Sequence, residues 1–123
     1  MRLASQRLAQ NRFRNPGDVV GWMGMVQAQD YSQFRWAVGM RTEKPNIDAV
    51  RDAFSSGKIL RLHLMRCTIQ AIAPQDLEWM GGLCREKNLR TIQSWPSCNK
   101  IEFSHQYYNE GTEALKEVLA GGK

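Results

Sequence analysis

Apolar residues in this chain recur first with a helical period, then with the alternation of a strand, and then with a helical period again. From Leu3 to about Phe13, Leu3, Leu8 and Ala9 stand among arginines and glutamines at roughly helical spacing, which predicts an amphipathic first helix. Asn15-Pro16 restarts the chain. Asn15 suits a helix cap, Pro16 the first helical position, where a missing N–H costs nothing, and Asp18 the positive end of the helix dipole. Val19, Val20, Met23 and Val26 then supply the apolar side of a second helix. The pattern breaks near Ala28 to Asp30. Asp30 followed by Gln33 has the spacing of a capping box and predicts a third helix, in which Tyr31, Phe34 and Val38 recur at i, i+3 and i+7. Lys44-Pro45-Asn46 closes that element and caps a fourth helix, with Ile47, Val50 and Phe54 facing inward and Gly57 as its stop.

The period then changes. Leu60, Leu62 and Leu64 alternate with Arg61 and His63, and Cys67 to Ala73 contains Thr68, Ile69 and Ile72, so two strands are expected. Their connection lacks an Asn-Gly turn. Pro74 opens another helix, with Leu77, Met80 and Cys84 on one side and Trp79 and Leu83 on an adjoining one. Helices followed by a short strand pair give an α+β, mainly helical fold: a winged helix-turn-helix-like domain with a short β-hairpin wing. Periodicity is poor from Glu86 to Gln106, and Trp95-Pro96-Ser97 interrupts it. The expected organisation is a winged-helix-like domain over residues 1–85, a linker or irregular segment over 86–109, and over 110–123 the first helix of a truncated second winged-helix unit. Ala114, Leu115, Val118 and Leu119 form the apolar stripe of that last helix, which could equally fold back on the main core.

At 123 residues there is room for about one domain, and 42% hydrophobic with 24% charged residues is ordinary for a globular protein. The net charge of +5 points towards acidic partners. Arg2, Arg7, Arg12 and Arg14 all precede the first acidic residue, Asp18, so positive charge gathers where phosphates could be neutralised. Three cysteines, Cys67, Cys84 and Cys98, without a C-x-x-C pair fit neither a disulfide framework nor a zinc finger. Reduced thiols in the cytoplasm are expected. No apolar run approaches the ~20 residues that span a bilayer.

Motifs that would carry nucleotide or zinc chemistry are absent: there is no Walker A loop, G-x-G-x-x-G, H-E-x-x-H or G-x-S-x-G. No cofactor and no metal are therefore expected. The most informative string is Met25-Val26-Gln27-Ala28-Gln29-Asp30-Tyr31, where one helix closes and the next opens. Gln27 and Gln29 would diverge on a continuous helix but converge if the backbone is extended. An amide both donates and accepts, so a converged pair can hold a water or a base edge. The plain alternative is that both amides satisfy loose backbone groups at helix ends.

Four strings occur in order between about Leu3 and Trp79. They are Gln27-Ala28-Gln29-Asp30-Tyr31, Phe34-Arg35-Trp36-Ala37-Val38-Gly39-Met40-Arg41, Arg61-Leu62-His63-Leu64-Met65-Arg66-Cys67-Thr68 and Ala73-Pro74-Gln75-Asp76-Leu77. Together they resemble the amino-terminal region of the winged-helix DNA-binding family that includes bacterial DNA glycosylases of the AlkZ and YcaQ type. The resemblance implies tandem winged-helix units that form a concave surface for double-stranded DNA. It also implies a glutamine–hydrophobic–glutamine motif for base excision, which falls on Gln27, Ala28 and Gln29. The chain departs from the pattern at Arg66-Cys67-Thr68-Ile69-Gln70, where relatives often read Arg-Gly-Thr-x-His.

Three readings follow. The first is the amino-terminal part of a DNA repair glycosylase that excises alkylated bases by hydrolysing the N-glycosidic bond. Gln27 and Gln29 would be catalytic there, with Asp30, His63, Arg66 and Thr68 as candidate supporting residues. The second is a noncatalytic winged-helix module or regulator that grips DNA through Arg35 and Arg41 with the amino-terminal arginines. The third is a structural or oligomerisation domain in which Trp22, Trp36 and Trp79 serve packing alone.

Overall fold

The computed structural model describes residues 2–9, 13–99 and 105–120. Three helices begin at the predicted caps. Asn15 Oδ1 accepts from the Asp18 amide at 3.0 Å at the start of α2 (Pro16–Met23). Asp30 Oδ1 accepts from the Gln33 amide at 2.9 Å before α3 (Tyr31–Gly39). Asn46 Oδ1 accepts from the Asp48 amide at 2.8 Å before α4 (Ile47–Ser55). Each oxygen satisfies an N–H that the first helical turn leaves without a partner.

The first helix is shorter than its spacing suggests: α1 covers Arg2–Ser5 and does not run on to Phe13. Arg7 adopts a left-handed conformation with φ 55°. Its amide donates to the Ala4 carbonyl at 3.1 Å while the Leu8 amide donates to that of Leu3 at 2.9 Å, the paired bonds of a Schellman cap. The second helix also stops early. Gly24, at φ 75° and ψ −68°, donates its amide to the Val20 carbonyl and reverses the chain. Val26, expected on α2, therefore lies on a strand, β1 (Met25–Gln27).

The wing is a hairpin of β2 (Leu60–His63) and β3 (Ile69–Ile72), joined through a three-ten turn over Met65–Cys67. Arg66 and Cys67 both take left-handed conformations there, φ 53° and 56°, which turns the chain without an Asn-Gly pair. β1 adds on the far side of β3, giving an antiparallel sheet in the order β1-β3-β2. Pairing places Val26, Ala71 and Arg61 in one row, and Gln27, Gln70 and Leu62 in the next. Successive rows point to opposite faces.

Each face has its own core. Val26 and Ala71 join Val19 and Val20 of α2, Phe34 and Val38 of α3, and Val50 and Ala53 of α4. On the other face Ile72 packs with Leu64 and with Met80 of α5 (Leu77–Cys98), flanked by Met25, Leu60, Leu62 and Cys84. Helices thus cover both faces of a small sheet, a mainly helical α+β fold of winged-helix-like plan.

The chain divides into two compact units, Met1–Asn88 and Leu89–Lys123. The irregular segment expected from Glu86 is helical as far as Cys98. Glu86, Lys87, Leu89, Arg90 and Gln93 are good helix formers, and Pro96 falls in the last turn, where it removes one bond and ends the helix without breaking it earlier. Residues 100–104 of that segment lie outside the described residues. The last helix, α6 (His105–Ala120), starts ahead of the expected Glu110. Its Leu115, Val118 and Leu119 are exposed.

Arg41, expected on the third helix as a DNA contact, follows the end of α3 and turns inward. It is only 8% exposed, and its Nε and Nη1 donate to the carbonyls of Gln6 at 3.0 Å and Ala37 at 2.6 Å. Burial holds its guanidinium below the ordinary arginine value. The side chain ties the segment after α1 to the end of α3.

Gly24→Ala should lower stability by about 1–3 kcal/mol. The added methyl meets only Met80 Cε, at 3.8 Å, so the loss is conformational rather than steric. An unchanged urea midpoint would contradict this account of the α2–β1 reversal.

Candidate functional site

The site is built where β1 ends. Antiparallel strands exchange two hydrogen bonds at alternate pairs of residues, and Ala28 with Ile69 is such a pair. One of the two is made, with the Ala28 amide donating to the Ile69 carbonyl at 2.9 Å. The reciprocal partners are diverted: the Ile69 amide donates to Gln29 Oε1 at 3.1 Å, and the Ala28 carbonyl accepts from Arg61 Nε at 3.0 Å. The ladder thus opens at Gln29, and the opening is held by two side chains.

This gives the two glutamines different environments. Both are exposed. A backbone N–H can only donate, so Gln29 must present its oxygen to Ile69, which leaves its Nε2 hydrogens to face outward. The Gln27 amide makes no hydrogen bond to any described residue. Its cross-strand neighbour on the same face is Gln70. Gln70 is only 8% exposed and donates from Nε2 to Thr68 Oγ1 at 2.8 Å, while Thr68 Oγ1 donates to the Met65 carbonyl at 2.7 Å. Gln27, Gln70 and Thr68 therefore line one end of the sheet face, next to the wing turn.

The other expected residues lie elsewhere. Asp30 is committed to capping α3. His63 pairs with Ile69 and so belongs to the opposite face, and its Nδ1 donates to the Cys67 carbonyl at 2.8 Å. Arg66 is exposed at the wing turn. The same turn is tied to α5 by Asn88, whose Oδ1 accepts from the Cys67 amide at 3.2 Å and whose Nδ2 donates to the His63 carbonyl at 3.4 Å.

Among the arginines, Arg2 and Arg14 are exposed. Arg7 lies over the Trp22 ring at 5.5 Å and Arg35 over Tyr31 at 4.9 Å. Arg35 is half-buried, and its Nε has no hydrogen-bond partner among the described residues. Arg12 lies outside the described residues. Arg61 was not singled out by charge or spacing. Its reach to Ala28 depends on the register of three strands, which no local signal encodes.

No group of three or more His, Cys, Asp or Glu gathers to hold a metal among the described residues, and no described helix is long and apolar enough to cross a membrane.

A mainly helical α+β fold of winged-helix-like plan defines the class, and the comparisons with known proteins agree with that fold. Residues 20–123 match the DNA glycosylase AlkZ-like family, and the chain belongs to that family. Among solved structures it is similar to Streptomyces sahachiroi DNA glycosylase AlkZ, with a TM-score of 0.54 and 27% identity, over 59% of this chain and 20% of that one. The match thus spans about one fifth of that glycosylase. Among curated proteins none matches.

Cys67 has a φ of 56°, the conformation that glycine adopts without cost. Cys67→Gly should relieve about 1–2 kcal/mol of backbone strain. The greater freedom of glycine in the unfolded chain returns about 0.5–1 kcal/mol of that. The melting temperature should therefore hold or rise slightly. A clear fall would show that the contact of Cys67 Sγ with the Asn88 carbonyl, at 3.7 Å, outweighs the strain.

Proposed function

We propose that this chain carries the glutamine-bearing part of a DNA repair glycosylase that removes N-alkylated bases from double-stranded DNA. The observation that carries the reading is the opened ladder at Ala28 and Ile69. It turns two glutamines, two residues apart, into a pair in which one amide is oriented and the other is free.

The chemistry suits neutral amides. An N-alkylated purine is already cationic, so the electron pair of its N-glycosidic bond passes to the ring and the base leaves neutral without prior protonation. A water adds to C1′ of the sugar and gives up its proton to solvent. The protein's tasks are to orient that water and to stabilise positive charge developing on the sugar. Gln27 Oε1 accepts from the water and points its lone pair at C1′, and the Gln29 Nε2 hydrogens hold the same water or the sugar edge. Gln70 stands beside Gln27 on the same face, at the position where the family resemblance implies histidine. An amide in that place keeps the hydrogen bonding without the capacity for charge.

The charged side chains fit a phosphate-binding role. Arg2, Arg7, Arg14 and Arg35 remain to contact the DNA backbone, whereas Arg41 serves the fold. Binding should weaken linearly on a log–log plot against salt. Each phosphate-contacting arginine replaced by alanine should lower the slope by about 1.

Release of N7-methylguanine from alkylated duplex DNA is the decisive measurement. The Gln27→Ala/Gln29→Ala double variant should lose release by at least about 100-fold while duplex affinity stays within about threefold, since the amides act on the transition state. Equal loss of release and binding would contradict the assignment. A protein that binds duplex and releases no base would be a noncatalytic DNA-binding module.

A further inference from the structure

We infer that Arg61 is the positioning residue of the glutamine pair, holding the β-ladder open so that Gln29 is presented in one orientation. The inference rests on the reading of Gln27 and Gln29 as the reacting amides.

Arg61 lies on β2, two strands away from β1, and crosses the sheet to reach it. The residue between them in the row is Ala71, which is fully buried and has only a methyl group, so the arginine stem can lie over it. At the far side the guanidinium donates from Nε to the Ala28 carbonyl at 3.0 Å and from Nη2 to the Gln29 carbonyl at 3.4 Å. Two successive carbonyls on a strand point in opposing directions, so one fork can reach both only where the strand has turned out of the sheet. That is the place where β1 ends.

The bond to Ala28 settles the side chain of Gln29. The Ala28 carbonyl accepts from Arg61 and not from the Ile69 amide, and Gln29 Oε1 accepts from that amide instead. Without the guanidinium, the Ile69 amide and the Ala28 carbonyl would close the ladder as any antiparallel pair does. Gln29 would then lose its anchor.

The guanidinium is itself held. It lies over the Tyr31 ring at 5.5 Å, Tyr31 packs on Phe54 at 5.7 Å, and Phe54 packs on the buried Phe34 at 5.5 Å. A chain of contacts thus links the helical core to the backbone of the glutamine segment. Arg61 approaches from the face opposite to Gln27, so it acts on the backbone and not on substrate.

The test uses Arg61→Gln and Arg61→Lys in the whole chain, with two readouts. The first is the NMR order parameter of the Gln29 side-chain amide, with the exposed Gln33 amide as the standard for free motion. The second is kcat and KM for release of N7-methylguanine. Lysine keeps the charge but cannot donate through a planar fork. Both variants should therefore let the Gln29 amide move like that of Gln33. Both should lower kcat by ten- to a hundredfold with KM within about threefold, the scale of a misplaced group. Amides of Val38 and Val50 that exchange as slowly as in the parent will show that the core is intact, and if Arg61→Gln does not fold, Arg61→Lys decides. Recovery of both readouts in Arg61→Lys, or a Gln29 amide that stays ordered in the variants, would overturn the inference. If the parent releases no base, the glycosylase reading fails, and the Gln29 order parameter still decides whether Arg61 positions it.

Discussion

The backbone reversal at Gly24 is the constraint on which the remaining structure depends. Its φ of 75° with ψ of −68° lies in a region that side chains with a Cβ avoid, and it ends α2 within one residue. Had the helix run on, Val26 and Gln27 would have been consecutive helical positions about 100° apart. On a strand they point to opposite faces. Val26 enters the core shared by α2, α3 and α4, and Gln27 turns towards the wing with Gln70 beside it. One conformational choice thereby separates the residue that holds the strand from the residue that faces substrate in the proposed reaction.

Burial on both faces then makes the register strict. A shift of one residue in β3 would exchange Ile72 for Ala71 on the α5 face and bring Gln70 into the core of α2 to α4, where an amide without partners costs about 1–3 kcal/mol. Where Gln70 does sit, Thr68 accepts its hydrogen bond and the wing turn accepts that of Thr68. The polar row is tolerated because it lies at the end of the sheet, where the ladder is already giving way to a turn. The turn in turn is braced by Asn88, so the wing is joined to α5 through hydrogen bonds and not through apolar contacts alone.

The end of β1 shows how a site can be made from unfinished secondary structure. A completed ladder would have consumed the Ile69 amide and the Ala28 carbonyl in each other. Diverting them to Gln29 and Arg61 leaves every one of these backbone groups satisfied, so the opening does not carry the penalty of a buried polar orphan. Aromatic packing from Phe34 through Phe54 to Tyr31 supplies the rigidity that an isolated loop would lack.

Local chemistry made much of this legible from residues alone. Asn15, Asp30 and Asn46 cap helices because a short side-chain oxygen reaches the next turn's amides whatever surrounds it. The alternation of Leu60, Leu62 and Leu64 shows β2 for a similar reason, since a strand with one buried face repeats every second residue. The extended backbone at Gln27 was legible too, through the break in period near Ala28. Only the tertiary structure decided the rest. Three residues of β1 are too few to display a period, α5 needed no periodic stripe to extend to Cys98, and Arg41 turned inward to a carbonyl, that of Gln6, 35 residues away in the chain. Arg61 belongs with these. Its role depends on which strand lies beside which, and strand order is set by the competition of whole faces for burial, a quantity that no single stretch of residues contains.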